Sequence, residues 1–224
     1  MSSWPTNDPK KLVAALKADG GDNAQLSGAV FTGQSLKDIN LRHADLSSAE
    51  LGKCKLTECA LDHARLTGAN LSGATIADSI IHWATFQKAQ LSKMTIRSCM
   101  FDKADFSEAV APDLTIIASL GVSAKFCGAE LTGARLENSA FALGDFRRAN
   151  LSRAVLRQSD FREANFGSCN LSGADLAGAV LYKANLASAI IRDAKFRGAK
   201  YDRTTKWGKA GPPPGAVLVK EKDK

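Results

Sequence analysis

The side chains of this chain that could perform chemistry begin with three histidines, His43, His63 and His82. Imidazole is a common zinc ligand, but a tetrahedral site needs further acid or thiol ligands. His43 and His63 are twenty residues apart, and Asp62 is the only obvious candidate for a third ligand. We therefore interpret the histidines as solvated surface residues and predict no metal ligands.

The patterns typical of catalytic sites are absent from the sequence. It contains no nucleophile with a base and an orienting group, no phosphate-binding glycine loop and no Cys-x-x-Cys pair. Neighbouring carboxylates such as Asp160 and Glu163 need no catalytic explanation, because the repeat described next sets them at outward positions. We predict that the protein is not an enzyme and has no catalytic residue, no cofactor-binding residue and no cofactor.

A five-residue repeat positions these side chains and occupies most of the chain. Every fifth residue from Leu26 to Tyr201 is Leu, Ile, Phe or Tyr, except Ala111 and Gly121. The residue two places before each of these large inward positions is small and usually Ala, and we call it the small inward position. All ten Phe occupy large inward positions. A period of five fits neither a helix nor a strand, so it indicates a repeat architecture.

Residues five apart can share an interior only if the chain turns within each unit, because side chains alternate along an extended strand. A turn of about a right angle per unit closes a square coil of four units. The frequent Gly, Ser, Asn and Asp residues suit its corners. Stacked coils would pair as parallel strands about 4.8 Å apart, and nine coils would form a rod roughly 40 Å long.

The segment Ala-Asn-Leu-Ser-Gly-Ala at 69–74 recurs as Cys-Asn-Leu-Ser-Gly-Ala at 169–174. It closely resembles the A-[D/N]-L-x-x signature of pentapeptide-repeat proteins. Further matches lie at 44–46, 104–106, 149–151, 164–166, 174–176 and 184–186. The resemblance covers roughly residues 24–201 and implies an all-β fold, a right-handed quadrilateral parallel β-helix of about nine coils. It implies no activity, because one fold hosts many functions.

The two ends of such a stack need caps, since open coils expose strand edges. Asp8 and Pro9 followed by Lys10 to Ala18 and two glycines predict a short capping helix, with Leu12 and Leu16 on its inner face. The Pro-rich stretch at 211–215 cannot continue the ladder and predicts an irregular tail. We expect a capping segment at 1–22, the repeat domain at 23–203, and a C-terminal cap and tail at 204–224.

The positions of the five cysteines help to predict the cellular compartment of the protein. Cys54, Cys59, Cys99 and Cys169 occupy small inward positions, whereas Cys127 follows a large inward position and is predicted to point outward. Cys59 and Cys99 would lie two coils apart, roughly 10 Å, which is too far for a disulfide. Free thiols, the lack of a signal-peptide pattern and the lack of a membrane-spanning apolar stretch together predict a cytoplasmic protein.

The formal net charge of +7 reflects a mild basic bias on a mixed surface. Residues 24–201 carry 21 Lys and Arg against 17 Asp and Glu, and the tail adds six basic and three acidic residues. Five arginines form a basic belt: Arg147, Arg148, Arg153, Arg157 and Arg162. The belt is expected to surround the rod instead of lining one face, which suits several phosphate contacts poorly.

One face of the square is expected to be apolar on its outer side. Residues twenty apart stack, and the residues that precede the large inward positions of this face include Ile80, Met100 and Leu120. The apolar stripe comprises Ile80, Trp83, Met100, Leu120, Val122, Ala140, Leu143, Val180 and Tyr182. A stripe of this kind marks either an interface or a surface that the tail or an irregular coil at 110–123 covers. For that segment we expect an irregular coil that stays in register.

Three functions remain open from the sequence. The first is a non-enzymatic scaffold that binds a protein partner, or a second copy of itself, through the apolar stripe. The resemblance implies a second, interaction with DNA gyrase or topoisomerase of the kind found in fluoroquinolone resistance, although a positive net charge argues against imitation of DNA. The third is weak nucleic-acid binding through the basic belt.

Overall fold

Residues 8–220 of the computed structural model form a parallel β-solenoid of about nine coils. The parts of the two predicted end segments at 1–7 and 221–224 lie outside the described residues. Backbone pairing joins residues twenty positions apart on all four faces, as in Gln25 with Asp45, Val30 with Glu50, Ser35 with Lys55 and Asn40 with Ala60. The predicted fold is confirmed, since a twenty-residue coil is what four five-residue units produce.

One face is regular enough to form a continuous sheet. Its strands are β1 (Ser35–Lys37), β2 (Lys55–Thr57), β3 (Thr75–Ala77), β4 (Thr95–Arg97), β5 (Thr115–Ile117) and β6 (Arg135–Glu137). They pair in sequence order as a parallel sheet, and the large inward residue is the buried centre of each strand. The other three faces pair mainly through single residues, because their corners leave shorter extended segments.

A left-handed residue in nearly every unit makes the corners. In the unit that begins at Leu26, Gly28 has φ of 70° and the amide of Ala29 donates to the carbonyl of Leu26 at 3.0 Å. This combination defines a type II turn, whose third residue needs positive φ. The repeat therefore turns at short, hydrogen-bonded corners, and the side chains on either side of the corner alternate between interior and solvent.

The large inward positions fill a continuous core along the axis. Five phenylalanines stack with centroid separations of 4.6 to 5.1 Å. This column, predicted from the twenty-residue spacing, contains Phe86, Phe106, Phe126, Phe146 and Phe166. All ten phenylalanines are fully buried. The interior of the rod is therefore a close-packed core of aromatic and aliphatic side chains.

The segment 110–123 stays in register, as expected, but its coil is regular and not irregular. Val110 pairs with Glu130, and Leu120 pairs with both Met100 and Ala140. Ala111 remains buried at its large inward position. At the other exception, a β-carbon on Gly121 would overlap the ring of Phe101. The missing side chain is therefore replaced by an aromatic ring from the preceding coil, and the core has no gap there.

Both described ends of the stack are capped. Asp8 is the N-cap of helix α1 (Pro9–Asp19), and its carboxylate accepts hydrogen bonds from the amides of Lys10 and Lys11. The helix buries Leu12, Val13 and Leu16 against the first coil. At the other end, the indole of Trp207 packs edge-on against Phe196 and Tyr201. Strand β8 (Val217–Leu218) then pairs in parallel with β7 (Lys200–Tyr201). Among residues 8–220, no helix has both the length and the apolar character needed to cross a bilayer.

Candidate interaction surface

The apolar stripe is continuous over four coils. Backbone pairing places Ile80 beside Met100, Met100 beside Leu120, and Leu120 beside Ala140. The side chains of Trp83, Leu120 and Leu143 are about half exposed, at 49%, 53% and 53%, and Met100 and Val122 are also exposed. Ile80 and Ala140 are partly exposed. The structure thus brings together seven of the nine predicted residues.

The other two residues of the apolar stripe lie apart from this group. Val180 pairs with Asp160, which separates it from Ala140. Asp160 binds Arg162 with a nitrogen–oxygen distance of 2.6 Å, and this charged pair crosses the face between the two apolar regions. Val180 and the nearby Tyr182, both partly exposed, therefore belong to a separate region near the C-terminal end.

As far as residue 220, the tail does not cover the apolar stripe. Val217 pairs with Lys200 and so extends the same face by one step beyond the last coil, instead of folding back over it. The amide of Val217 donates to Ala199 and that of Val219 to Tyr201, which fixes this course. The regular coil at 110–123 stays in the stack as well. Within residues 8–220, the central side chains of the stripe are open to solvent.

Two residues of the apolar stripe also occupy left-handed corners. Trp83 has φ of 61° and Leu143 has φ of 60°. Left-handed backbone is unfavourable for bulky side chains and is adopted most readily by Gly, Asn and Asp. Burial does not compensate this cost, because both side chains are exposed. Strained and exposed apolar residues are typical of functional surfaces.

The histidines extend this surface toward the N-terminus. The rings of His43 and His63 stack at 4.9 Å, and His63 stacks with Trp83 at 5.9 Å. The ammonium of Lys103 lies 4.2 Å from the centroid of the Trp83 ring, a cation–π contact. The spacing of twenty residues between His43 and His63 is consistent with their contact, whereas its continuation to Trp83 and Lys103 was missed. The signal was available, since these positions differ by twenty.

No metal site is formed by the histidines. His82 accepts a hydrogen bond at Nδ1 from the amide of Asp102 at 3.1 Å, which holds it apart from the stacked pair. Within residues 8–220, no three His, Cys, Asp or Glu side chains converge as a metal site would require. Stacked imidazoles also direct their ring nitrogens in parallel planes and not toward a common point.

The basic belt is spread around the corners of the rod, and neighbouring carboxylates neutralise part of it. Arg147, Arg157 and Arg162 bind Asp145, Asp175 and Asp160 with nitrogen–oxygen distances of 2.6, 2.7 and 2.6 Å. The hydrogen bonds from Arg147 hold the pKa of Asp145 below its usual value.

The other two arginines of the belt face different surroundings. Arg148 donates to the sulfur of Cys127 at 3.3 Å, and Arg153 forms no ion pair within the described residues. Because the belt occupies several corners of the coil, it does not form one cationic face.

The cysteines divide into four core residues and one surface residue. Cys54, Cys59, Cys99 and Cys169 are buried and Cys127 is partly exposed, and all five are free thiols. Burial raises the pKa of Cys54 and of Cys99 to about 11, and that of Cys169 to about 12. Burial also raises the pKa of Cys59. Thiols with a raised pKa hold their protons at neutral pH, so these four cysteines are apolar core residues and not nucleophiles.

A stack of twenty-residue coils with one large and one small inward residue per unit defines the class of quadrilateral β-solenoid proteins. A family model described as "Pentapeptide repeats" matches residues 24–61, 54–92, 122–158 and 159–198, with eight copies. The chain belongs to the pentapeptide repeat family.

Solved structures of several pentapeptide repeat proteins are similar to this chain. HetL, from the cyanobacterium Nostoc sp. strain PCC 7120 and involved in heterocyst differentiation regulation, is 25% identical, with a TM-score of 0.46 and coverage of 93% of this chain and 91% of HetL. A trypsin-treated form of QnrB1, a plasmid-mediated fluoroquinolone resistance protein, is 18% identical, with a TM-score of 0.45 and coverage of 85% and 93%. The protein alr5209, also from Nostoc, is 34% identical over 42% of this chain and 84% of its own length, with a TM-score of 0.36. No curated protein matches the chain.

Proposed function

We propose that this chain is a non-enzymatic scaffold that binds a protein partner through the part of the apolar stripe between Ile80 and Leu143. The observation that carries the proposal is the exposure of Trp83, Met100, Leu120 and Leu143 on one face that no other described segment covers. Large exposed apolar side chains that are contiguous mark interaction sites in soluble proteins. Left-handed backbone at this corner is common to the repeat, but Trp83 and Leu143 place large apolar side chains on it, which adds a conformational cost that the fold itself does not require.

The patch is smaller than an obligate homodimer needs, since such interfaces bury about 2,000 Å² or more, and this favours a different protein over a second copy as the partner. Four coils rise by about 15 Å, and five extended residues span roughly 16 Å, so the flat patch measures about 250 Å². A standard stable interface buries about 800 Å² on each partner. The patch is therefore suited to form the apolar centre of a larger interface with a polar rim. The mixed charges around it, such as the pair of Asp78 and Arg97, fit such a rim.

Interaction with a topoisomerase through imitation of DNA receives no support from the charge. Residues 121–201 carry 12 Lys and Arg against seven Asp and Glu, which is the opposite sign from a DNA duplex. The same region holds 12 of the 21 Lys and Arg of residues 24–201. We therefore place the function on the apolar face.

Site-specific crosslinking in cells tests the proposal. A photo-reactive amino acid at Leu120 should crosslink to a discrete protein, because that side chain lies at the centre of the patch. The matched control is Ile190, which is exposed to 54% on the opposite face of the square. Crosslinks at 120 that are absent at 190, and that Met100→Asp abolishes, are the expected result.

Three outcomes would contradict the proposal. Equal crosslinking at both positions would indicate nonspecific contact, and no crosslink at 120 would remove the patch as an interface. A crosslinked dimer of this chain at 120, with a doubled mass in light scattering, would assign the patch to self-association instead.

A further inference from the structure

An open hollow of about 710 Å³ lies on the C-terminal part of the rod, at the corner between the face of strands β1 to β6 and the face of the apolar stripe. Its walls are formed by Arg157, Gln158, Lys195, Arg197 and Lys200. Its floor is low because Ala177, Gly178 and Gly198 occupy successive corner positions where other coils carry longer side chains. The hollow therefore results from small residues at the corner of two adjacent coils.

Four cationic side chains surround this hollow, and Asp175 is the one carboxylate in its lining. Asp175 is almost fully buried, and its charge is already engaged. Its Oδ2 accepts from Nε and Nη2 of Arg157 at 2.9 and 2.7 Å, and its Oδ1 accepts from the amide of Ala177 at 3.0 Å. Asp175 therefore fixes the guanidinium of Arg157 at the edge of the hollow and has little capacity left to neutralise the other cations.

The remaining three cations form no close ion pair among the described residues, although Lys195 interacts electrostatically with Asp175. No ion pair within residues 8–220 involves Lys195, Arg197 or Lys200. Elsewhere on this half of the rod, Arg135, Arg147, Arg162 and Lys183 each bind a carboxylate. Arg148, Arg153 and Arg192 on this half also form no ion pair within the described residues, but Lys195, Arg197 and Lys200 are gathered around one concave place. A concave surface lined by charges of one sign focuses the electrostatic field and raises the local concentration of counter-ions.

We propose that this hollow binds a small anion that carries two or three linked phosphate groups, such as an inorganic polyphosphate or the phosphate chain of a nucleotide. Arginine and lysine are the side chains that most often bind phosphate oxygens, and an array of them suits several phosphates better than one carboxylate. The lining contains no aromatic ring. The site therefore lacks a surface on which a base could stack, and recognition rests on the phosphates alone.

Calorimetric titration with sodium tripolyphosphate tests this site. Arg197→Glu should weaken binding by roughly tenfold or more, because it replaces an attraction with a repulsion at short range. Arg192→Glu is the matched control, since Arg192 is exposed in the same coil, carries the same charge and does not line the hollow. Ala177→Trp should also abolish binding without any change of charge, because the ring would fill the floor. Circular dichroism verifies the fold of each variant.

The outcomes separate a built site from diffuse charge. Equal affinity for tripolyphosphate and ATP, lost in Arg197→Glu and kept in Arg192→Glu, supports the proposal. Equal losses in the two variants, or the absence of measurable binding, would overturn it. A preference for ATP by roughly tenfold would show that the site also recognises the nucleotide base. Tighter binding of a single-stranded oligonucleotide, weakened equally in both variants, would show that these cations bind nucleic acid. Either result would also reject the inference.

Discussion

At the scale of single residues, Gly121 and Phe101 show how the core accommodates a position that departs from the repeat. Gly121 is the one glycine at a large inward position, and the ring of Phe101 occupies the volume that its side chain would need. Phe101 in turn packs at 5.9 Å from the ring of Phe141, one coil beyond Gly121. The aromatic ring and the missing side chain therefore form one packing unit across two coils.

We expect Gly121→Ala to lower the free energy of unfolding by about 1–3 kcal/mol, because the new methyl group forces the Phe101 ring out of its place. Gly52→Ala is the control, since a β-carbon there makes only an ordinary contact, 3.7 Å from the carbonyl oxygen of Ser72. Urea denaturation measures both. Combining Gly121→Leu with Phe101→Leu restores the regular repeat and should recover stability; a double variant less stable than Gly121→Ala would contradict this account.

The ion pair between Asp175 and Arg157 makes stability depend on pH. Burial alone would raise the pKa of Asp175, but hydrogen bonds from Arg157 and the amide of Ala177 outweigh it and lower the pKa. A carboxyl whose pKa is lower in the folded state stabilises the fold fully above its unfolded pKa, and this contribution is lost as the pH falls through the folded value.

Asp175→Asn should therefore destabilise the protein most at neutral pH. The difference in unfolding free energy between the parent and the variant should shrink as the pH falls below the unfolded value of 3.8. Denaturant titrations between neutral and strongly acidic pH measure it. A difference that stays constant over this range would show that the ionised pair is not its source.

At the scale of elements, the corner that follows strands β1 to β6 differs from the other three. It has a left-handed residue, such as Ala118, and after β2, β4, β5 and β6 a hydrogen bond to a side chain replaces the closing backbone hydrogen bond of a type II turn. Serine hydroxyls at the small inward positions supply acceptors for the amides of the coil before. The amides of Cys59, Cys99, Ser119 and Ser139 donate to the hydroxyls of Ser79, Ser119, Ser139 and Ser159.

Ser119→Ala tests this hydroxyl ladder. The Ser119 hydroxyl accepts from the amide of Cys99 at 3.1 Å and donates to the carbonyl of Ile117 at 2.8 Å, so its removal leaves the buried amide of Cys99 unpaired. We expect a loss of about 1–3 kcal/mol in the free energy of unfolding. Ser107→Ala is the control, since the hydroxyl of that partly exposed serine is in no described hydrogen bond. Similar losses for both variants would argue against the ladder.

The sequence predicted the coil, the inward phenylalanines and the buried cysteines, because all three depend only on counting in fives and twenties. It also predicted which residues form the apolar stripe, except that Asp160 and Arg162 divide it. It missed the hydroxyl ladder, since serine at a small inward position reads simply as a small residue. It also missed the basic hollow, because its depth depends on corner glycines and on how Asp175 and Arg157 pair in space.

At the scale of the whole molecule, stability comes from contacts between neighbouring coils, so the ends are the weakest places. Helix α1 covers the first coil, and Leu16 is 1% exposed there. The amide of Gly21 donates to the carbonyl of Asn40, which joins the helix to the stack. Loss of this cap would expose apolar core and unpaired strand edges together.

Leu16→Asp should detach the cap and lower stability by roughly 3 kcal/mol or more, because a charge cannot stay buried without a partner. Hydrogen exchange should then rise first at 24–45, with residues 120–160 protected longer. Ala14→Asp introduces the same charge on the exposed side of α1 and should leave exchange unchanged. Uniform loss of protection along the rod in Leu16→Asp would show that the cap does not act locally.

The pairing of Phe101 with Gly121 has a further consequence for folding. In a chain of near-identical units, a slip of one coil costs little hydrophobic burial, so the native state competes with register-shifted states of similar energy. A slip that placed the Phe101 ring over a Leu or Phe would produce a clash, and Gly121 would leave a cavity elsewhere. Gly121, the one glycine among the 36 large inward positions, thus favours a single alignment of the coils, because the register-shifted alignments would be higher in energy.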